Sequence, residues 1–276
     1  MKKTEYKPGM YDISNEEYHA SSGVSRSALW TYKQLPKKYW YEYLSGEYVR
    51  PAETESFLIG SMLHTMMLEP ELFESSYYVM PKVNRATKAG KIAYSESFQL
   101  AAGRTLITDL QLLQVHTMCK QLKDQALVSN VLLGSIVEKS IYWEDEETGL
   151  ICKCRPDLIS DLITADLKST DDASPRGFQN SAMKYGYMMQ AAMIFEGLQS
   201  IGQVFEKFLF ICVEKKQPYA TALYLLDDEA LQYGRDQFHK TLRQFVDSYD
   251  TNYWPDYGVQ NLTVPHYATK ELLNDD

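Results

Sequence analysis

Apolar positions recur at helical spacing before residue 130, at strand spacing between 136 and 170, and in both forms after that. Ser25 can cap a helix carrying Leu29, Tyr32 and Lys33. Pro36 begins a second helical piece whose Tyr39, Trp40, Tyr41 and Tyr43 suit a core better than a base-stacking surface. Residues 54–68 (TESFLIGSMLHTMML) form a helix closed by Glu69-Pro70, with Phe57, Gly60, Ser61, His64 and Leu68 on one stripe. Residues 92–128 read as helical, with Leu106, Leu110, Leu113, Met118 and Leu122 inward and a break at Ser129-Asn130. Residues 136–143 (IVEKSIYW) form a strand, paired across a turn at 145–149 with a second strand at 150–159. Ser174-Pro175 starts one long helix to about residue 200. Strands follow at 204–214 and 219–226, then a last helix from Asp227-Asp228 to about 249. Residues 1–24 and 81–91 carry turn formers and read as irregular, as does the tail from 254.

This order, helices followed by β-β-β-α-β-β and a final helix, predicts an α/β fold with a central mixed sheet flanked by helices. At 276 residues the chain reads as one domain: a mostly helical part over 1–130, a core over 131–250 and a tail over 251–276. Its 45% hydrophobic and 24% charged residues are those of a globular protein. No apolar run approaches a membrane span and the N-terminus lacks a signal-peptide core, which predicts a cytoplasmic protein with no membrane partner. Four scattered cysteines exclude a disulfide scaffold, and Cys152-x-Cys154 lacks the second pair of a zinc site. The net charge of −9 argues against nucleic-acid binding by bulk charge and leaves room only for a local basic groove.

Candidate chemistry concentrates in residues 152–170, CKCRPDLISDLITADLKST. Residues two apart on a strand share a face, so Asp166 and Lys168 point together while Leu167 points into the opposite layer. Asp157 lies nine residues before Asp166, with Ser160-Asp161 as a turn between them. A tight antiparallel return would bring the two carboxylates together beside the ammonium, an arrangement suited to a hard divalent cation and a phosphodiester. An ordinary hairpin with charges on its wet face fits Asp-x-Lys alone. The surrounding apolar positions Ile163, Ala165 and Leu167 mark the charges as exceptions on a buried element, where charges are paired or metal-bound. Glu138 is either a third carboxylate of this site or a surface residue on an edge strand. His64 is either a core histidine or a site residue, with Gly60 leaving room beside it. Arg85, Lys88 and Lys91 belong either to a solvated loop or to one that contacts phosphate.

The ordered set Glu138, Arg155-Pro156-Asp157, Asp166-x-Lys168 and Tyr187-x-x-Gln190, with His64 upstream, resembles the PD-(D/E)xK nuclease superfamily. More narrowly it is similar to the RecE-type phage exonucleases (exonuclease VIII) of the RecB-like branch. Ile13-Ser14-Asn15, Gly60-x-x-x-His64, Leu68-Glu69-Pro70 and Thr87-Lys88-Ala89-Gly90-Lys91 extend the likeness over most of residues 12–195. The resemblance implies a restriction-endonuclease-like core and a Mg²⁺-dependent exonuclease, with Mn²⁺ as substitute. It would degrade linear double-stranded DNA 5′ to 3′ and leave a 3′ overhang for a RecT-like annealing protein. It also implies a homo-oligomeric ring. With no cysteine after Cys212, the iron–sulfur cluster of a related branch is not expected. On this likeness Asp157, Asp166 and the Leu167 carbonyl would hold the metal, with Glu138 and His64 as further ligands. Lys168 would stabilise the phosphorane charge, and Tyr187 and Gln190 would position the Lys168 strand or the DNA. Arg85, Lys88 and Lys91 would contact the DNA backbone. An endonuclease of other specificity and a non-catalytic DNA-binding phage protein are the alternatives.

Overall fold

The computed structural model describes residues 4–84 and 86–264. The chain begins with β1 (Gly9–Tyr11), α1 (Asn15–Ala20), β2 (Val24–Ser25), α2 (Arg26–Gln34) and α3 (Pro36–Tyr39), which runs into a π-helical turn over Trp40–Leu44. Ser25 caps α2 through Ala28 N–H. Helix α4 (Glu55–Leu68) is capped by Thr54, whose hydroxyl accepts from Phe57 N–H. Then come α5 (Phe73–Ser76), β3 (Tyr77–Val79), α6 (Lys88–Ala101), β4 (Thr105–Ile107), α7 (Asp109–Lys123) and α8 (Ala126–Leu132). The strand-rich half follows: β5 (Ile136–Val137), β6 (Ser140–Glu144), β7 (Ile151–Cys154), β8 (Leu158–Ile159) and β9 (Ile163–Thr170). Last are α9 (Pro175–Tyr185), α10 (Tyr187–Ser200), β10 (Lys207–Glu214), β11 (Thr221–Leu225) and α11 (Asp228–Thr251).

Among the described residues three sheets form, ordered β11-β10-β9-β8-β5, β1-β6-β7-β2 and β3-β4. In the first, β9 and β10 run parallel, while β8 pairs with β9 and β11 with β10 antiparallel. The fold is α/β with a mixed sheet flanked by helices, as expected. Alternation along β10 divides its core. Phe208, Phe210 and Cys212 pack with α2, α10 and α11. Leu209, Ile211 and Val213 pack with α4, α7 and α8. Strand β9 follows the same register, so Ala165 and Leu167 join the α4 side. Asp166 and Lys168 stand opposite Phe210 and Cys212, on the α10 side.

The structure corrects several expected boundaries. Residues 136–143 are not one strand: Glu138 takes φ +52, and β5 and β6 enter different sheets. The run 150–159 breaks likewise at Arg155–Asp157, with β7 in one sheet and β8 in the other. The two crossings touch, since Glu138 N–H donates to the Asp157 carbonyl at 3.2 Å. The helix expected over 174–200 is two helices joined at Gly186, φ +69, where a Cβ would run into the Trp30 indole. Within 92–128 a strand and three helices replace one helical region, and Ser129-Asn130 lie inside α8 instead of ending it. Leu110 and Leu113, expected inward, are 78% and 63% exposed, whereas Met118 and Leu122 are fully buried. Short elements β1, α1 and β2 occupy the expected irregular N-terminus, and α6 starts at Lys88 inside the expected loop.

Candidate active site

The site lies where the two strand crossings meet β9. A bend at Ser160, whose N–H and hydroxyl both engage the Ile163 carbonyl, returns β8 against β9. The register Leu158–Ala165 then sets Asp157 opposite Asp166. Asp157 Oδ2 accepts the Leu167 N–H at 2.6 Å, fixing the carboxylate against the strand that carries the other acid. Asp166 is 1% exposed; its Oδ1 accepts from Gln190 Nε2 at 2.5 Å, and its Oδ2 forms an ion pair with Lys168. Lys168 also donates to Gln190 Oε1 at 3.2 Å and stands 4.6 Å above the Tyr187 ring. Gln190 therefore holds acid and amine at once, and the first turn of α10 closes over both.

From the other side of the sheet, α4 brings His64 over the strand edge. Its Nε2 meets the Leu167 carbonyl at 2.9 Å, and since a carbonyl only accepts, Nε2 carries the proton. Nδ1 then faces Asp157 Oδ2 at 3.6 Å and Glu138 Oε1 at 4.0 Å. Glu138 reaches this point from its left-handed backbone position. Its other oxygen accepts from Arg155 Nε at 2.6 Å, and the same guanidinium bonds the Ile13 carbonyl and Ser140 Oγ. The Leu167 carbonyl, expected as a metal ligand, accepts from His64; a carbonyl has two lone pairs, so this bond does not exhaust it.

The electrostatics follow from this crowding. Burial pushes the Asp157 carboxyl up to about 7, with Asp166 adding to the rise and His64 opposing it. Burial would lower His64, but Asp157 and Glu138 outweigh it and hold the imidazolium up to about 9. Burial would raise Glu138; His64 and Arg155 bring it below its ordinary range. Burial works against the Lys168 ammonium, and the charges of Asp166 and Asp157 more than offset it, so the amine stays protonated.

Of the other expected residues, Tyr187 and Gln190 line the same open groove of about 1210 Å³ as His64, Glu138 and Asp157. Lys88 and Lys91 do not: they sit exposed on the first turn of α6, away from the groove lining. Arg85 lies outside the described residues. Arg26 and Lys215 line the groove without having been singled out from the sequence. Arg26 donates to the Tyr185 carbonyl at 3.2 Å from the first turn of α2. Its one signal was its place directly after a cap serine; Lys215 follows a strand and carried no signal.

The family described as a PDDEXK-like domain of unknown function (DUF3799) matches residues 25–262. The chain belongs to this family. PDDEXK-like membership places it in the PD-(D/E)xK nuclease superfamily, and the matched span covers every site residue named above. No curated protein matches the chain. Among solved structures, a candidate exonuclease from Eubacterium rectale aligns with TM-score 0.64 and 13% identity, over 96% of this chain and 99% of that one. That likeness shows the shared fold. The structure of SSO0001 aligns with TM-score 0.28 and 15% identity over 66% of this chain and 86% of that one, too low to argue from.

PDDEXK-like nucleases use divalent metals, and the residues here fit one. His64, Glu138 and Asp157 each offer a ligand atom within 4.8 Å of the others. Beside them, Asp166 Oδ2 is buried and is met only by the Lys168 ammonium. A cation bound there would displace the protons held on Asp157 and His64. No helix among the described residues is long and apolar enough to cross a membrane.

Proposed function

We propose that the chain is a metal-dependent exonuclease that degrades linear double-stranded DNA from the 5′ end and leaves a 3′ single-stranded overhang. The observation that carries the reading is Asp157, just before β8, bonded to the Leu167 N–H next to Asp166 on β9, with the Lys168 ammonium on Asp166 and the groove open to one side. A divalent cation held by Asp157, Asp166, Glu138 and His64 would lower the pKa of an attacking water and neutralise phosphoryl oxygens. Mg²⁺ suits the oxygens of this set, and Mn²⁺ tolerates the added imidazole. The chain's own groups do the rest. Lys168 is held as an ammonium and stabilises charge developing on the phosphorane. Gln190 keeps it in place, and Tyr187 supports it from below.

Exonuclease action, its polarity, a ring of identical subunits and a RecT-like annealing partner rest on the RecE-type pattern of residues 12–195. The test is digestion of end-labelled linear duplex and of covalently closed circles, each strand's 5′ and 3′ label followed separately, with Mg²⁺ and with EDTA. The expected result is 5′-first loss of label from linear DNA only, abolished by EDTA. Nicking of circles at a comparable rate would replace the exonuclease by an endonuclease on the same fold.

A further inference from the structure

We propose that Lys215 is a DNA-backbone contact that holds one phosphate of the substrate strand at the N-terminal end of α4, apart from the reacting linkage. This deepens the nuclease reading and rests on it. Lys215 follows β10 and lines the groove. Its backbone is fixed on both sides: its N–H donates to the Thr170 carbonyl at 2.9 Å, and its own carbonyl accepts from Gln114 Nε2 at 2.7 Å. The side chain is 17% exposed, and its ammonium bonds Ser56 Oγ and pairs with Asp171 Oδ1 at 2.9 Å.

Two features of this placement point to an anion. First, Ser56 is in the first turn of α4, where the helix presents its positive end. A cation held there has the wrong sign for the helix alone. The one acidic residue of that turn, Glu55, engages Gln111 of α7 instead. Second, the carboxylate that balances Lys215 is itself 80% exposed, so its pairing is weak and readily exchanged for a phosphate. A rigid backbone with an exchangeable counter-charge is what a phosphate contact needs.

The helix also gives the spacing. Ser56, Gly60 and His64 all line the groove on one face of α4. Eight residues of helix rise about 12 Å. Phosphates of one duplex strand wind around the axis as well as rising about 3.4 Å per step, so this span covers about two of them. Lys215 therefore contacts a phosphate about two nucleotides from the linkage beside His64 and Asp157.

The test is binding of a fluorescent linear duplex by the full chain, read as anisotropy in metal-free buffer over a range of salt. Lys215→Gln should weaken binding about tenfold and flatten the salt slope by about 0.9, one phosphate contact. Asp171→Asn, which removes the competing carboxylate, should tighten it. A duplex with one methylphosphonate about two nucleotides from the cut should bind wild type more weakly and Lys215→Gln no differently from ordinary DNA. If Asp171→Asn weakens binding as Lys215→Gln does, the pair is a structural tie and the proposal is overturned. An unchanged salt slope in Lys215→Gln overturns it equally. Should wild type bind DNA in this way yet hydrolyse none with Mg²⁺, the nuclease reading fails and the phosphate contact stands.

Discussion

His64 and His239 each sit between two carboxylates, and only one of the two clusters has the makings of an active site. His239 spends both ring nitrogens on acids, Nε2 on Glu196 at 2.9 Å and Nδ1 toward Asp145 at 3.7 Å. Asp145 is satisfied locally, its Oδ2 accepting the Thr148 N–H and hydroxyl. The result is a clasp between the β6–β7 turn, α10 and α11. His64 spends one nitrogen on a neutral carbonyl, so a single nitrogen faces Asp157 and Glu138. Next to it lies a second buried acid, Asp166, whose Oδ2 is met only by the Lys168 ammonium. The same three residue types therefore give a closed tie in one place and, in the other, ligand atoms that converge on an open groove. The difference is what the backbone offers the imidazole.

That contrast breaks most sharply through Asp166. Asp166→Asn keeps the volume and removes the charge, and hydrolysis should fall on the order of 10³-fold, while Asp145→Asn should leave it within about twofold, since a local tie is distant from the chemistry. Steady-state hydrolysis of labelled duplex, with circular dichroism to verify folding, reads both. Lys168→Ala follows, with an expected loss of about 10²- to 10³-fold in kcat from removing one charge-stabilising group. Retention of near-normal activity by either site variant would place the site elsewhere.

The acids and the imidazole also set a pH dependence. Asp157 rises from 3.8 to about 7 in the folded chain, so the stability it contributes is present below pH 3.8 and is lost as pH rises through 7. His64 rises from 6.5 to about 9, so its contribution is full below pH 6.5 and is lost as pH rises through 9. Both act in one direction. The melting temperature of the metal-free protein should fall between pH 6 and pH 9, and saturating Mg²⁺ should flatten the fall, because bound cation replaces the protons. A melting temperature that rises over this range without metal would contradict the charge arrangement. The smallest effect is that of His239→Ala, which should cost about 1 kcal/mol of stability with unchanged turnover, measured by denaturant unfolding.

The sequence made the heart of this site legible because it is local. Period-two alternation puts Asp166 and Lys168 on one face, and a nine-residue spacing around Ser160-Asp161 returns Asp157 to Asp166. The strand crossings at Glu138 and Arg155 were hidden, since nothing in the alternation of IVEKSIYW says that its halves join different sheets. Only tertiary pairing decides that. The break at Gly186 had a signal, a glycine inside a helical run, but the flanking apolar pattern outweighed it. Leu110 and Leu113 misled in the opposite sense: their helical spacing is real, but their face of α7 is turned outward. Arg26 and Lys215 reach the groove through contacts far apart in the chain, which no spacing rule encodes.

The most direct measurement is calorimetric titration of the metal-free protein with Mn²⁺ at pH 7.5. The expected result is saturable binding in wild type and in His239→Ala, and its loss in Asp157→Asn and Asp166→Asn. Binding that survives both aspartate changes, or that disappears with His239, would contradict the placement of the cation between the strand crossings and β9.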